Sequence, residues 1–362
     1  MAQDSFPIRR VDHVRFYVGN AKQASYYYQN VFGFDITGFN GLETGQKHEV
    51  DYLLEQGDIR FLMSAPVRPG HPYAESLARH GDGVQDIAFE VDDVDWSFKT
   101  AVERGATPAK EPWTIRDENG SVRLASIHTY GETVHTFINR DDFAGHFMPG
   151  FREVNSKGVT TGLVDLDHCV GNVDLGDMNK WVKFYEQVLG FTQLISFDDK
   201  DISTEYTALM SKVMANGNGR VKFPINEPAE GKKKSQIDEY LEFYGGAGVQ
   251  HIALNTKDIV QTVTELKRRG LEFLTVPATY YEMLPERVGN IDEDIKELQK
   301  LGVLVDRDDE GYLLQIFSKP VEDRPTVFYE VIERKGAKSF GKGNFKALFE
   351  AIEREQALRG TL

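Results

Sequence analysis

Short runs in which apolar and polar residues alternate are followed by stretches with apolar residues three and four apart, and this succession recurs along the chain. VDHVRFYVGN, Val11–Asn20, reads as a strand and AKQASYYYQNVFGF, Ala21–Phe34, as a helix; LDHCVGNV, Leu166–Val173, and DMNKWVKFYEQVLGF, Asp177–Phe191, repeat the pair. Both helices finish on an apolar residue, Gly and Phe, where the glycine suits a left-handed C-cap. A second echo links GDGVQDIAFEVDDVDWSFKTAVERGATP, Gly81–Pro108, to GAGVQHIALNTKDIVQTVTELKRRGLEFLTVP, Gly246–Pro277. VHTFINR, Val134–Arg140, lies over FYEVIER, Phe328–Arg334, through a shared Ile and Arg. The pattern predicts a duplicated chain, with two similar strand–helix starts in each half and hence four modules. Residues 1–150 and 160–362 are the expected domains. Asp141–Thr160, with mixed polarity and no sustained period, reads as a linker. Near the C-terminus, Phe345, Leu348, Phe349 and Ile352 fall on one face of an expected amphipathic helix within Phe340–Gly360.

Length agrees with two domains, since 362 residues exceed what one core usually serves. Fifty-seven acidic against 42 basic side chains give a formal charge of −15, which argues against a nucleic-acid or anionic-membrane partner. Lys232–Lys234 is too short to change that and reads as a solvated loop. The single cysteine, Cys169, excludes an internal disulfide and suits a reducing compartment. No apolar run approaches the roughly 18 residues of a membrane span, and MAQDSFPIRR lacks the apolar core of a leader, so a cytoplasmic location is expected.

Where the halves are laid together they differ in chemistry. His13 falls opposite His168, Asp86 opposite His251, and Thr136 opposite Glu330. A lone histidine in an apolar strand such as GGAGVQHIAL, Gly245–Leu254, is more often a satisfied core residue than a ligand. Two imidazoles and a carboxylate in one half are another matter: they form the set that occupies one face of Fe(II) and leaves positions open for substrate and dioxygen. The three lie far apart in sequence, as a site assembled from several strands requires. Alternation puts Leu166, His168 and Val170 on one face, and Phe328 with Glu330 on one face. His13, in a half without the full set, reads as a structural remnant. Gln250 alternates away from His251 unless a bulge intervenes.

LDHCVGNV, PINEP (Pro224–Pro228), GKKKSQIDEY (Gly231–Tyr240), GGAGVQHIAL, LLQIFSKP (Leu313–Pro320), FYEVIER and the FGKGNFKALFEAIE tail together resemble the 4-hydroxyphenylpyruvate dioxygenase family, in order and over essentially the whole chain. The resemblance implies an α+β, vicinal-oxygen-chelate (glyoxalase-like) fold: duplicated βαβββ modules in two open half-barrels plus a C-terminal helix, only the second half holding metal. It implies one Fe(II) per subunit on His168, His251 and Glu330, and conversion of 4-hydroxyphenylpyruvate and O₂ to homogentisate and CO₂ in tyrosine catabolism. Ser211, Asn226, Gln315 and Phe317 are the implied catalytic positions; Gln236, Gln250, Phe328, Phe340, Asn344 and Phe345 are the implied substrate-binding ones. A homodimer or tetramer is implied as well. An α-keto acid that chelates the metal through two oxygens needs no added 2-oxoglutarate, and phenylalanines suit a pocket that must stay dry. The tail helix is then expected to close that pocket as a lid. Three alternatives stand beside this reading: a hydroxymandelate synthase of the same fold, against which Phe317 argues; a non-catalytic binding protein of the same fold, against which the intact triad argues; and an extradiol dioxygenase, which uses the same triad on catechols and which the FGKGNF tail does not suggest.

Overall fold

The central strand of each half, Ile8–Tyr17 and Leu163–Asn172, meets an antiparallel neighbour, Gly83–Val91 and Gly248–Thr256, and the rest of each sheet is laid outward from that pair. In the computed structural model, which describes residues 5–198, 204 and 206–362, two mixed sheets are present. On one side of each pair a strand runs parallel to the first member, Ile59–Pro66 or Lys222–Ala229; on the other side Val134–Asn139 or Phe328–Lys335 runs parallel to the second. Two antiparallel strands extend each flank. The order is the same in both halves, so four βαβββ modules are realised and each sheet curls into an open half-barrel.

The stretch expected to be a featureless linker carries one more strand, Arg152–Ser156, paired to Asp35–Asn40 at the edge of the first sheet. Five residues bearing Arg and Glu give no alternation signal, and charge on an edge strand is a common way to block further pairing. Beyond it, Thr160 and Thr161 are tied to Gln56.

Met178–Leu189 shows how the sequence pattern becomes packing. Its buried residues Met178, Val182, Tyr185, Val188 and Leu189 follow the helical period, and Gly190 ends it at φ 66°, where a side chain would be strained. Burying each such large apolar side chain stabilises by about 1.5–3 kcal/mol. The equivalent helix of the first half departs from expectation. Ala21–Tyr27 is α-helical, but Tyr28–Phe32 widens into a π-helical turn before Gly33. That turn stacks Tyr28 on Phe32 and presses both against Tyr329 of the second half. Tyr28 Oη lies 2.7 Å from Tyr329 Oη, and one apolar core runs continuously through both halves.

The tail helix, Phe345–Arg359, buries the face predicted for it. Leu348 and Ile352 pack on Phe317, Phe328 and Leu274, while Phe349 and Phe345 meet Phe197, Leu209 and Phe340. Its far end is fastened where Arg359 and Thr361 donate to Glu239. Among the described residues no helix is long and apolar enough to cross a membrane.

Removing one hydroxyl of the Tyr28–Tyr329 pair leaves the other buried without a partner. Tyr28→Phe or Tyr329→Phe is expected to cost about 1–3 kcal/mol, with the double variant costing less than the sum, as read by urea unfolding. Additive losses would show that the two hydroxyls are not coupled.

Candidate metal centre

His168, His251 and Glu330 stand on three adjacent strands and converge. Register sets Val170 against His251 and Ala253 against Glu330, and all three side chains are buried. His168 Nε2 is 3.2 Å and His251 Nε2 3.5 Å from Glu330 Oε2, and the three donor atoms lie within 4.8 Å of one another. Nitrogen and oxygen ligands placed about 2.1 Å from one ion at right angles would be about 3 Å apart, so the set fits a single metal ion.

What aims the two imidazoles is a pair of β-bulges. On the first strand Leu166 faces Leu254 while His168 faces Ala253, which makes Asp167 a surplus residue. On the second strand Val170 faces His251 and Gly171 faces Val249, which makes Gln250 the surplus residue. The condition under which Gln250 and His251 could share an interior is therefore met, and both line the same cavity. Each surplus side chain holds its neighbour's ring: His168 Nδ1 is 2.7 Å from Asp167 Oδ1, and His251 Nδ1 is 3.1 Å from Gln250 Oε1. Both partners accept, so both Nδ1 atoms donate and both Nε2 lone pairs face the metal position. Gln250 Nε2 reaches on to Gln236 Oε1 at 3.5 Å.

Asp167 is in turn clasped by Arg334, Nε to Oδ2 at 2.7 Å and Nη2 to Oδ1 at 2.8 Å. Burial pushes its carboxyl up, but Arg334 and His168 outweigh burial and hold it well below the usual carboxylate range. Burial likewise acts to raise Glu330, and the two imidazoles bring it down to about 2 instead. Burial lowers His251; on His168 the same burial is overcome by Glu330 and Asp167, and its proton is held more tightly than usual. Metal and proton thus compete for His168.

A cavity of about 70 Å³ adjoins the triad. Ser211, Asn226, Gln236, Gln250, Phe317, Phe328, Phe340 and Phe345 line it. Ser211 and Asn226 sit opposite each other on paired strands. Phe328 stacks on His251 at 4.7 Å, Phe317 meets it edge-on at 5.9 Å, and Phe340 meets His168 edge-on at 5.1 Å. Two expected positions are elsewhere. Gln315 shares a strand face with Phe317 but packs beneath Gly341, where an added Cβ would come within 2.5 Å of its Oε1. Asn344 is turned away: its Oδ1 accepts from Tyr280 Oη at 2.6 Å and from Arg287. Sequence reading missed Phe197, Leu209, Val213 and Pro224 on the wall. Leu209 and Val213 alternate with Ser211 and could have been found that way. It also gave no role to Asp167 and Arg334, although Asp-His and the terminal Arg recur in both halves.

The profile of the Glyoxalase/Bleomycin resistance protein/Dioxygenase superfamily matches residues 10–125 and 165–316. The 4-hydroxyphenylpyruvate dioxygenase of Coccidioides posadasii is 49% identical over 98% of this chain and 94% of its own length. That of Danio rerio is 48% identical over 97% and 91%. The chain belongs to the 4-hydroxyphenylpyruvate dioxygenase family. Among solved structures, a triple mutant of the 4-hydroxymandelate synthase of Streptomyces coelicolor superposes with a TM-score of 0.87 at 31% identity, covering 97% of this chain and 99% of that one. The dioxygenase family is the nearer of the two by identity, and the described triad is the donor set such an iron-dependent oxygenase needs.

If Asp167 and Arg334 set the angle of the His168 ring, Asp167→Asn should lower iron affinity by roughly 10- to 100-fold. Equilibrium dialysis against Fe(II) measures this, and unchanged affinity would mean that the ring is held without them.

Proposed function

We propose that the chain converts 4-hydroxyphenylpyruvate and O₂ to homogentisate and CO₂ in tyrosine catabolism, on one Fe(II) per subunit held by His168 Nε2, His251 Nε2 and Glu330. The observation that carries this reading is the convergence of three buried donors on one wall of an aromatic pocket, in a chain that matches dioxygenases of this name end to end. When bound, iron supplies a centre at which dioxygen is activated beside the keto acid. The catalytic half is taken as residues 160–362 and the metal-free half as 1–150.

The protein's own groups bind, orient and keep dry. His168, His251 and Glu330 would hold the metal from one side, and a metal so held would have positions free to bind the keto acid and O₂. Beyond the metal position, Ser211 and Asn226 offer a hydroxyl and an amide side by side on neighbouring strands, suited to the phenol oxygen. Gln236 adds a second amide. Phe317 and Phe328 border the position of the ring and, with Phe340, exclude water that would quench an oxidising centre. Gln315 and Asn344 remain proposed contacts of a substrate-bound arrangement: Gln315 Oε1 and Asn344 Nδ2 are buried and lack partners among the described residues.

A cavity of about 70 Å³ has room for a couple of waters, far less than an aromatic keto acid. Phe345, Leu348 and Phe349 of the tail helix close it, so the helix must yield for substrate to enter and then reseal. A reducing, cytoplasmic setting suits the one buried cysteine. A homo-oligomer, dimer or tetramer, is the proposed assembly.

Mixing the protein with Fe(II), O₂ and 4-hydroxyphenylpyruvate should produce homogentisate. Glu330→Gln and His251→Ala should each leave a folded chain with little iron and no product; stoichiometric iron and activity in either variant would overturn the ligand set. Hydroxymandelate synthesis is the second reading, favoured by the 31% identity to such a synthase. Phe317, wedged beside His251 and Phe328, stands against it. Phe317→Ile frees space for the ring to turn, so a measurable share of product should become hydroxymandelate. Chromatography showing homogentisate alone at full yield would refute that role.

A further inference from the structure

The first half repeats the backbone of the metal site down to its irregularities. Asp12 and Gln85 are surplus residues in its central strand pair, as Asp167 and Gln250 are in the second. Register puts Asp86 in the place of His251, Thr136 in that of Glu330, and Arg15 in that of Val170. His13 Nδ1 is bound to Asp12 at 2.6 Å, and Asp12 is clasped by Arg140 as Asp167 is by Arg334. The framework that aims an imidazole into the barrel is thus intact where the metal set is not.

This barrel is also far from filled. It holds a cavity of about 690 Å³, within the range of small-molecule pockets. Three carboxylates line it, those of Glu49, Asp51 and Asp86, against two cations, Arg15 and Lys110. Arg15 is already engaged by Ser64, Asp51 and Tyr73, and Lys110 lies 3.8 Å over the Trp113 ring. His13 lines the cavity with its Nδ1 held by Asp12, and no hydrogen bond of its Nε2 is formed among the described residues. Asp86 accepts from Thr136 N at 3.0 Å and from Thr136 Oγ1 at 2.5 Å, which leaves lone pairs of its carboxylate over. The inner end therefore offers acceptors and negative charge, while Trp113, Leu124 and Phe151 supply an apolar wall.

We propose that this cavity is a second small-molecule site, which takes an organic ammonium ion carried on an aromatic or aliphatic body. Asp86 accepts its N–H bonds at the inner end beside His13, and Trp113 and Phe151 cover its body. An anion would meet the Asp86 carboxylate, since the Arg15 cation is already paired with Asp51 and Glu49. A metal ion would find only His13 and Asp86 as ligands, with Thr136 where the third carboxylate would be. Burial pushes the Asp86 carboxyl up while His13, Thr136 and Arg15 pull it the other way, and an ammonium partner would add to the groups that keep it charged. The proposal does not depend on the reaction in the other half.

Phenethylamine is a suitable probe, with 2-phenylethanol as its uncharged counterpart, each titrated calorimetrically into the iron-loaded full chain. Saturable binding of one phenethylamine per chain is expected, with 2-phenylethanol much weaker. Asp86→Asn should weaken the amine at least about tenfold, as loss of a buried charge-assisted hydrogen bond implies. Trp113→Ala should weaken both probes, and Phe317→Ala, in the other pocket, should change neither. Iron content and melting temperature report whether Asp86→Asn is folded; if it is not, Trp113→Ala against Phe317→Ala decides. Equal affinity for the two probes, no saturable heat, or binding lost in Phe317→Ala rather than in the first-half variants would overturn the proposal.

Discussion

The central antiparallel pair of the second sheet carries a surplus residue beside each of its two histidines, and the candidate centre depends on that misfit. In strict alternation Asp167 would point away from His168, and Gln250 away from His251. With Asp167 and Gln250 as surplus residues, ligand and supporting side chain reach the same interior. The two Nδ1 atoms are then occupied by fixed acceptors and the two Nε2 atoms are left to converge on Glu330. Neither imidazole is free to choose its tautomer or its angle, so a metal position exists in the protein before any metal arrives.

Charge is managed by the same arrangement. Burying His168, His251, Glu330, Asp167 and Arg334 together would be costly for any one of them alone. Here each charge has a partner: Arg334 satisfies Asp167, Asp167 satisfies His168, and the imidazoles hold Glu330 ionised. The chain of contacts reaches from the aromatic wall, where Arg334 also lies 5.3 Å from the Phe340 ring centre, to the metal position. A change at any member moves the others.

Duplication gave the molecule two such frameworks, and they have been put to different ends. In the second half the framework is closed over by Phe340 and the tail helix, which leaves a small, dry cavity. In the first half no residue of the tail helix is among the described residues that line the barrel's cavity, and Asp86, Arg15 and Asp51 make its interior charged. The halves are joined through one apolar core in which Tyr28 and Phe32 abut Tyr329, the residue next to Glu330. Packing in the first half therefore bears on the strand that carries a metal ligand in the second.

The duplication, the four strand–helix starts, the tail helix and its apolar face, and the three metal-ligand candidates could all be read from the chain, because each rests on a local period or on comparison of one half with the other. Gly190 and Gly33 marked helix ends for the same reason: the left-handed turn is a property of a single residue. What could not be read depends on partners distant in sequence. The edge strand Arg152–Ser156 has no period of its own and exists only because Asp35–Asn40 offers an unpaired edge. The π turn at Tyr28–Phe32 arises in a segment whose pattern is plainly helical. Gln250 turns toward the cavity and Asn344, though buried, turns away from it, and sequence spacing alone favoured neither outcome. A bulge is created by the register of two strands, and the direction of Asn344 by Tyr280 and Arg287. Periodicity states which face a residue is on; only the packed sheet decides where that face bends, what lies opposite, and how much room is left.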